Sequence, residues 1–502
     1  MIESLSELAA RLPDYLGGHM LLSVSALVVG LAVSLPMGVM ASRRPKLAEM
    51  LLGATGVLQT VPTLALLVLM VPLLGGLIGF WPAFVALTLY SILPILANTV
   101  TGIRGVDPAL VEAARGLGMN DGQMLRRVQL PLAAPVIIAG IRTATVLVVG
   151  TATLATPVGG ASLGNYIFSG LEMNDMTSTI FGCVIAAALA VGMDQLVRML
   201  EIAARKRSRR LALVAGAALL LLVGGGLYGP IARLFSPPAP IVASAPFTEQ
   251  HILSEVLRAK LQQAGFRVDQ RPGMGETIQF LALRHNQIDC CVNYTGNVWA
   301  TLMKRKDVQD PHITFDETNR FLHERYGVVC LGRLGFENAY ALAMPRRRAE
   351  ALGIRTIADL ARHSRHLAIA GDLQFFERSE WARVQGLYGL GFSRIHPMDP
   401  TLMYEAVAKG TVDVICAYSS DGRILEKELV ILDDPHQAFP PYDAVLLLSA
   451  KAAADPKLRQ TLQPLVGAID MAAMRRANLR VDVEGARPRT AAHELLATVS
   501  GS

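Results

Sequence analysis

Long apolar runs separated by short polar connections extend to about residue 229, and the pattern changes beyond residue 240. A helix needs about 20 mainly apolar residues to cross a bilayer. Six runs are long enough, at residues 20–41, 49–74, 79–101, 134–158, 176–199 and 211–229. They predict an α-helical polytopic membrane domain of about six spans.

Beyond residue 240, strand-like segments alternate with helical ones. Residues 240–243 begin a strand, and the apolar positions of 247–266 recur at helical spacing. The alternation continues through RVDQ, GETIQFLALRHNQ, IDCCVNY, HLAIAGD and VDVICAY. This pattern is typical of α/β lobes with mostly parallel sheets. With a length of 502 residues, it predicts one membrane bundle followed by a soluble module of two lobes.

The predicted division between the two parts falls in a short, stiff segment. SPPAP at 236–240 is a proline-rich spacer. We therefore expect a membrane domain over 1–229, a linker over 230–240 and a soluble domain over 241–502. Residues 1–19 carry several charges, so the first apolar run is expected to be a retained span and not a cleaved signal peptide.

Basic residues beside the apolar runs predict the topology. The chain is 52% hydrophobic and 18% charged, with a net charge of +6. Lys and Arg collect in cytoplasmic loops of membrane proteins. Three clusters agree on one arrangement: Arg43, Arg44 and Lys46; Arg104, Arg115, Arg126 and Arg127; and Arg205, Lys206, Arg207, Arg209 and Arg210. With the three clusters on the cytoplasmic side, the N-terminus and the soluble domain lie on the outer side of the membrane. Because topology accounts for much of the excess of Lys and Arg, this excess requires no nucleic-acid partner.

Besides Glu49, the first residue of the second predicted span, three charged residues fall within predicted spans. Asp194 and Arg198 are four residues apart, and an intrahelical ion pair is the favoured interpretation. Arg142 lies further inside the fourth span, where an arginine faces protein or water. A pair within the bundle and a functional role both stay open for it.

The five cysteines show no metal-binding spacing, so we expect no metal site. Cys290, Cys291, Cys330 and Cys416 lie in the soluble part, where one disulfide and buried free thiols are both open. Adjacent Cys290 and Cys291 would point to opposite faces of a strand, which disfavours a bond between them.

The segment EAARGLGMNDGQMLRRVQLP (112–131) carries the most specific spacing in the chain. Its Ala113–Ala114 pair suits close packing, Gly118 permits a turn between two short helices, and Pro131 opens the next membrane helix. An ordinary polar loop is the alternative.

This segment resembles the ATPase-docking loop of binding-protein-dependent ABC importer permeases. Three segments of the membrane part resemble the permeases of glycine betaine, carnitine and choline importers: LQTVPTLALLVLMVPLLG (58–75), ALTLYSILPILANTVTGI (86–103) and TPVGGASLGNYIFSGL (156–171). Five segments of the soluble part resemble the binding proteins of these importers: FTEQ (247–250), YTGN (294–297), ENAYALAM (337–344), MYEAVAKGTVDVICAYSSD (403–421) and FPPYDAVLLL (439–448). The resemblance implies an ABC importer permease followed by a two-lobed α/β periplasmic-binding-protein domain. Such fusions occur in this family, including choline and ergothioneine transporters.

A quaternary ammonium group has no N–H, so aromatic ring faces are its natural partners. By motif position, the resemblance assigns this role to Tyr294, Tyr340, Tyr418 and Tyr442. It assigns the ligand carboxylate to Arg378, whose fork suits that group. Asn297 replaces the family's usual Thr and can also accept a hydrogen bond. Packing is the alternative for each of these four tyrosines, and packing is the expected role of Trp299, Tyr326, Tyr388 and Tyr404. A surface position beside Glu377 and Glu380 is the alternative for Arg378.

Two departures leave the substrate open. Ala245 stands where the family often has Lys, and Asn293 stands where an acidic residue is usual. Glycine betaine and a larger betaine such as ergothioneine both fit, whereas choline would leave Arg378 without a carboxylate.

The chain lacks a G-x-x-x-x-G-K-[ST] phosphate loop. The resemblance therefore implies a separate cytoplasmic ATPase in two copies, docked at Glu112, Ala113, Ala114 and Gly118 of a homodimeric permease in the bacterial inner membrane. We expect no cofactor. A membrane-anchored ligand sensor is an alternative, and a membrane enzyme is disfavoured because HExxH and paired-carboxylate signals are missing.

Overall fold

The computed structural model describes residues 2–172, 175–234, 239–305, 307–398 and 400–500. The chain divides into two compact units. The first holds Met1–Pro238 with Gly273–Ala282, and the second holds Ala239–Pro272 with Leu283–Ser502. Each unit has its own buried apolar core.

The first unit is built from α-helices. They are α1 (Ile2–Ser42), α2 (Pro45–Thr60), α3 (Thr63–Leu73), α4 (Phe80–Arg104), α5 (Pro108–Gly116), α6 (Asp121–Met124), α7 (Leu130–Thr151), α8 (Gly164–Glu172), α9 (Met176–Lys206) and α10 (Arg209–Leu234). Five described stretches are long and apolar enough to cross a membrane: Leu8–Ser42, Phe80–Arg104, Asp121–Val158, Met176–Lys206 and Arg209–Ala232. The bent pair of α2 and α3 makes a sixth if it is counted as one span. The predicted membrane domain of about six spans is confirmed.

The second predicted span, 49–74, is broken and is not one straight helix. A bend of 100° separates α2 from α3. Pro62 explains the break, because proline lacks the N–H of the helical ladder and favours extended backbone at the residue before it. Val61 accordingly has φ −71° and ψ 127°. The Tyr90 hydroxyl donates to the Val61 carbonyl and stabilises the break.

The charged residues within the spans pair across helices. Arg142 on α7 donates from Nε and Nη2 to the two carboxylate oxygens of Asp194 on α9, at 2.5 and 2.9 Å. Glu201, further along α9, lies 3.8 Å from the same guanidinium. Asp194 also interacts electrostatically with Arg198, but its hydrogen-bonded partner is Arg142 on another helix, which the favoured intrahelical pair did not predict. Because α7 packs against α9, the arginine reaches the carboxylate with a bidentate fork, a stronger arrangement than a single contact.

The second unit contains two five-stranded sheets. Its strands are β1 (Ile241–Ala243), β2 (Asp269–Arg271), β3 (Cys290–Tyr294), β4 (Val329–Glu337), β5 (Tyr340–Pro345), β6 (Ala368–Gly371), β7 (Arg394–Pro397), β8 (Val414–Tyr418), β9 (Leu429–Ile431) and β10 (Asp443–Leu448). The first sheet has the order β2-β1-β3-β10-β4, and the second has β7-β6-β8-β5-β9. The C-terminal part is thus a two-lobed α/β domain, as predicted.

Helices alternate with these strands along the chain, and most of α12 belongs to the first unit. They are α11 (Thr248–Gln263), α12 (Glu276–Arg284), α13 (Thr295–Asn297), α14 (Pro311–Tyr326), α15 (Arg346–Leu352), α16 (Ile357–His363), α17 (Leu373–Glu377), α18 (Ser379–Tyr388), α19 (Pro400–Ala408), α20 (Arg423–Glu426), α21 (Ala450–Ala453), α22 (Pro456–Leu462), α23 (Met471–Asp482) and α24 (Pro488–Ser500). Helix α11 packs on β1 and β3 and against α23 and α24. The core of the first lobe therefore lies between its sheet and these helices.

Both sheets are mixed in direction. β1 is parallel to β2 and β3, and β6 is parallel to β7 and β8. β10 and β5 run antiparallel to both of their neighbours. The expectation of mostly parallel sheets is wrong for half of the pairs, because β5 and β10 are the strands that the chain enters when it crosses between sheets. We call Asn338–Ala339, between β4 and β5, the first crossover, and 432–442, between β9 and β10, the second crossover.

All five cysteines are free thiols. Cys291 and Cys330 lie on either side of Leu447 in the first sheet, both in register with it. Two strand spacings, about 10 Å, separate them, which exceeds the reach of a disulfide. Of the two possibilities that the sequence leaves open, the structure has the free thiols.

Candidate functional site

The four predicted ligand tyrosines lie at strand ends, two in each sheet. Tyr294 ends β3, and Tyr442 directly precedes β10 in the same sheet. Tyr340 begins β5 and Tyr418 ends β8, where the two residues are cross-strand partners. Each of these strand ends leads into a crossover or faces one, so the topology gathers the four residues where the lobes join.

Tyr340 and Tyr418 form a ring pair in the second lobe. Their centroids are 4.9 Å apart with planes at 31°, and the Tyr418 hydroxyl donates to the Tyr340 oxygen at 3.2 Å. The fully buried Phe375 packs 5.2 Å from Tyr340, and Trp381 packs 5.4 Å from Phe375. Burial raises the pKa of both phenols, so both stay protonated. The aromatic core behind the pair restricts the orientation of its rings.

Tyr294 and Tyr442 are held in the first lobe by the YTGN turn and by polar contacts. A Cβ atom on Gly296 would lie 2.5 Å from atoms of the Tyr442 ring, so the ring packs directly on the glycine backbone. The Tyr294 hydroxyl donates to Glu249, and Gln250 Nε2 donates to the Tyr294 oxygen at 3.2 Å. Burial raises the pKa of Tyr294, and the adjacent Glu249 raises it further. Tyr294 therefore remains a hydrogen-bond donor.

Arg378 lies between α17 and α18, beside the ring pair of the second lobe. Its guanidinium carbon is 5.4 Å from the Tyr340 centroid, within cation–π range. Burial lowers the pKa of Arg378, but Tyr340, Tyr442, Glu380 and Tyr418 together raise it above its usual value. The side chain remains 42% exposed and lies 3.9 Å from Glu380, so it keeps the surface contact of the alternative interpretation while reaching the rings.

The other positions considered for the substrate lie around Tyr294. Asn297 is half-buried in the short helix that follows it. Asn293 is buried, and its Oδ1 accepts a hydrogen bond from the Tyr294 backbone at 2.7 Å. Ala245 is buried as well. Within the described ranges, no group of three or more His, Cys, Asp or Glu side chains is placed to hold a metal ion.

Two aromatic residues outside the predicted set pack as expected. Trp299 is buried, its Nε1 donates to the Asp307 carbonyl at 2.8 Å, and the Arg305 guanidinium lies 3.9 Å from its ring centre. Tyr404 is fully buried with Arg423 over its ring at 4.2 Å. The packing interpretation is confirmed for both.

Sequence reasoning missed a buried carboxylate next to the tyrosines. Glu249 is 3% exposed in the first turn of α11. Its Oε1 accepts from the Tyr294 hydroxyl and from Asn338 Nδ2 at 3.2 Å, and its Oε2 accepts from Asn478 Nδ2 at 3.1 Å. Burial raises the pKa of Glu249, and hydrogen bonds from Ser420 and these three donors lower it in part. The FTEQ motif contains Glu249, but an acidic residue in a first helical turn is ordinary and gives no sign of these contacts.

Residues 112–131 form two short helices joined at a glycine. Gly118 has φ +80°, a left-handed conformation that favours glycine, and Asn120 with Gln123 caps α6. The predicted turn is confirmed. Pro131 does stand in the first turn of α7, but a π-helical turn at Leu125–Gln129 joins α7 to α6. Such a turn accommodates the missing N–H of the proline within one continuous helical stretch.

The α5 helix presents a mixed surface to solvent. Glu112 and Ala113 are exposed, Leu117 is 79% exposed, and Ala114 is buried. Arg104, at the end of α4, donates to the carbonyls of the last two residues of α1 at 3.1 Å. A short helix with exposed Glu112 and Arg115, followed by the exposed apolar Leu117, is suited to contact with a protein partner.

Two family models match the chain. Residues 241–498 match the substrate-binding domain of ABC-type glycine betaine transport systems. Residues 30–206 match the inner membrane component of binding-protein-dependent transport systems.

Individual relatives agree with both matches. The ergothioneine transport permease/ergothioneine binding protein EgtU of Helicobacter pylori (strain G27) is 29% identical over 474 residues, which cover 91% of this chain and 85% of that protein. The choline transport system permease protein OpuBB of Bacillus subtilis (strain 168) is 46% identical over 36% of this chain and 83% of that protein. A crystal structure of a glycine betaine/carnitine/choline ABC transporter superposes with a TM-score of 0.50 and 28% identity, covering 51% of this chain and 97% of that one.

Proposed function

The chain belongs to the family of binding-protein-dependent ABC importers in which a permease is fused to a glycine betaine-type binding domain, and from this premise we propose that it imports betaine-type quaternary ammonium zwitterions. It is an inner-membrane transporter subunit and not an enzyme, and its family implies a partner ATPase. We further propose the domain limits 1–229, 230–240 and 241–502.

The observation that carries the proposal is the placement of two tyrosine pairs and one guanidinium where the lobes join. A trimethylammonium group is attracted to the face of each ring by roughly 0.5–2 kcal/mol. Tyr294 and Tyr442 belong to one lobe, and Tyr340 and Tyr418 belong to the other. A cation that touches rings from both pairs therefore favours the closed arrangement of the lobes.

The guanidinium favours a zwitterion over a simple cation. Arg378 lies beside Tyr340 and remains accessible, so a carboxylate on the ligand can accept two hydrogen bonds from it. Choline has no such group. Glycine betaine is the smallest ligand that satisfies both features. Ergothioneine is the second candidate, supported by the similarity to an ergothioneine transporter and by the half-buried Asn297, three residues after Tyr294, whose amide can also accept a hydrogen bond.

The transport cycle requires the membrane unit to respond to ATP. In our proposal, two copies of the chain form the pore, with the N-termini and binding domains outside the cell. Two ATPase subunits contact Glu112, Ala113, Ala114 and Gly118 from the cytoplasm, and their closure rearranges the bundle. The exposed α5 helix supports this proposal over that of a ligand sensor, which has no need of a docking helix.

Calorimetry on the full-length chain in lipid nanodiscs tests the substrate class. We expect glycine betaine or ergothioneine to bind, and Arg378→Ala to weaken that binding by about tenfold or more, since hydrogen bonds to charged groups contribute roughly 1.5–3 kcal/mol. Any binding of choline should not change in this variant. The exposed Arg355, also on the second lobe, provides the matched control, Arg355→Ala.

Two results would contradict the proposal in different ways. A wild-type chain that binds neither zwitterion refutes the substrate class. A zwitterion that binds Arg378→Ala as tightly as wild type refutes the assignment of the carboxylate to this arginine.

A further inference from the structure

We propose that Glu249 is a positioning residue for the cationic ligand, one that makes the Tyr294 ring more electron-rich and joins the segments that carry the four tyrosines. This inference rests on the proposed function and assigns a role to a residue outside the predicted ligand set. It begins from the contacts of one buried carboxylate.

The first contact acts on the ring itself. The Tyr294 hydroxyl donates its proton to Glu249 Oε1. A phenol that donates to a carboxylate carries more electron density on its ring, and cation–π attraction depends on the negative charge of the ring face. Tyr294 is 4% exposed and Glu249 is 3% exposed, so water screens this polarisation weakly.

The remaining contacts reach the first crossover. Asn338 Nδ2 donates to Glu249 Oε1 at 3.2 Å. The backbone N–H of Asn338 donates to the Tyr442 carbonyl at 3.0 Å, and Tyr340 follows two residues later. Through one asparagine, the carboxylate therefore contacts a segment that is bonded to Tyr442 and leads into Tyr340.

The second carboxylate oxygen reaches the end of β8. Asn478 Nδ2 donates to Glu249 Oε2 at 3.1 Å and also to the Ser420 carbonyl at 2.8 Å. Ser420 follows Tyr418 by two residues. The positions of all four tyrosines thus depend on segments that meet at Glu249.

The charge of Glu249 distinguishes this arrangement from simple packing. Its hydrogen-bond donors are a phenol, two amides and the side chain of Ser420, all of them neutral. A buried carboxylate without a cationic partner costs more free energy than a neutral amide of the same shape. A ligand cation against the Tyr294 ring would offset that cost, which a neutral glutamine at this position would not incur.

A double-mutant cycle on the full-length chain tests the inference. Glu249→Gln, Tyr294→Phe and the double variant are titrated with glycine betaine and with ergothioneine in nanodiscs. We expect each single variant to weaken binding by about tenfold, and the double variant to be no weaker than a single one by more than about threefold, because both remove the same interaction. Glu255→Gln is the matched control: Glu255 is also buried in α11, but it pairs with Arg258 of the same helix.

The outcomes separate this inference from the proposed function. A wild-type chain that binds neither probe overturns the proposed function. Tight wild-type binding that Glu249→Gln leaves unchanged, or losses that multiply in the double variant, overturn the inference alone. If Glu249→Gln does not fold, Tyr294→Phe decides, because it removes the hydroxyl while the ring and the carboxylate stay, and wild-type affinity in that variant overturns the inference.

Discussion

Replacing Gly296 with alanine probes whether the Tyr442 ring holds the ligand. The added methyl group would lie 2.5 Å from ring atoms of Tyr442, whereas ordinary van der Waals contact begins at 3.4 Å. The ring must therefore move by about 0.9 Å, away from the backbone of the YTGN turn. Overpacking of this kind costs roughly 1–3 kcal/mol, and a ring displaced towards the ligand removes space that the ligand needs.

We expect Gly296→Ala to weaken zwitterion binding by about tenfold to a hundredfold, as 1.4 kcal/mol corresponds to a factor of ten. Calorimetry on the full-length chain measures the affinity, and thermal unfolding of the same sample measures stability. Gly386→Ala is the control, since a methyl group at that position of α18 would have nothing within 4 Å. Wild-type affinity in Gly296→Ala, with the protein folded, would show that Tyr442 is not a ligand ring.

Three further predictions concern other parts of the chain. Glu112→Ala should abolish uptake into cells and leave ligand binding intact, whereas the exposed Glu49→Ala should transport normally; preserved uptake in Glu112→Ala would remove the docking role. Burial raises the pKa of Glu249 above its ordinary 4.5, so its contribution to stability is greatest below that value and is lost as the pH rises through the folded-state pKa. Between about pH 4 and about pH 8, the thermal midpoint of wild type should therefore fall relative to that of Glu249→Gln, and a difference that stays constant with pH would contradict this. Arg142→Ala removes the hydrogen-bonded partner of Asp194 and should lower the free energy of unfolding, which a lower thermal midpoint would show. The loss should be smaller than the roughly 3–5 kcal/mol of a fully buried pair because Arg142 is 34% exposed, and the double variant with Asp194→Ala should recover part of it.

The predictions for the membrane unit succeeded where apolar length decides the structure. In lipid, the backbone N–H and C=O groups of a run such as 79–101 can form their hydrogen bonds within a helix, and the run forms most of α4, Phe80–Arg104. The break at Pro62 was missed because the apolar run continues through it, although the proline itself was a sufficient signal. The partner of Asp194 was missed because helical spacing describes contacts along one helix, whereas Arg142 approaches from another.

The soluble lobes show the same division between local and long-range information. Strand positions such as Cys290–Tyr294 followed from apolar residues and propensity, but the direction of β5 and β10 depends on where the chain crosses between sheets. The family's motifs located the four tyrosines. They gave no role to Glu249, because its partners Asn338 and Asn478 lie far from it along the chain and come together only in the folded lobe.

The hydrogen bond between the Asn338 backbone and the Tyr442 carbonyl has a mechanical consequence. It fastens to each other the two chain segments that connect the lobes. Because the two connections are fixed side by side, the lobes resist sliding past each other, and rotation of one lobe relative to the other about a common axis is the motion of lowest energy. The cleft should therefore open and shut along one angular coordinate, with the rings returning to the same alignment after every turnover.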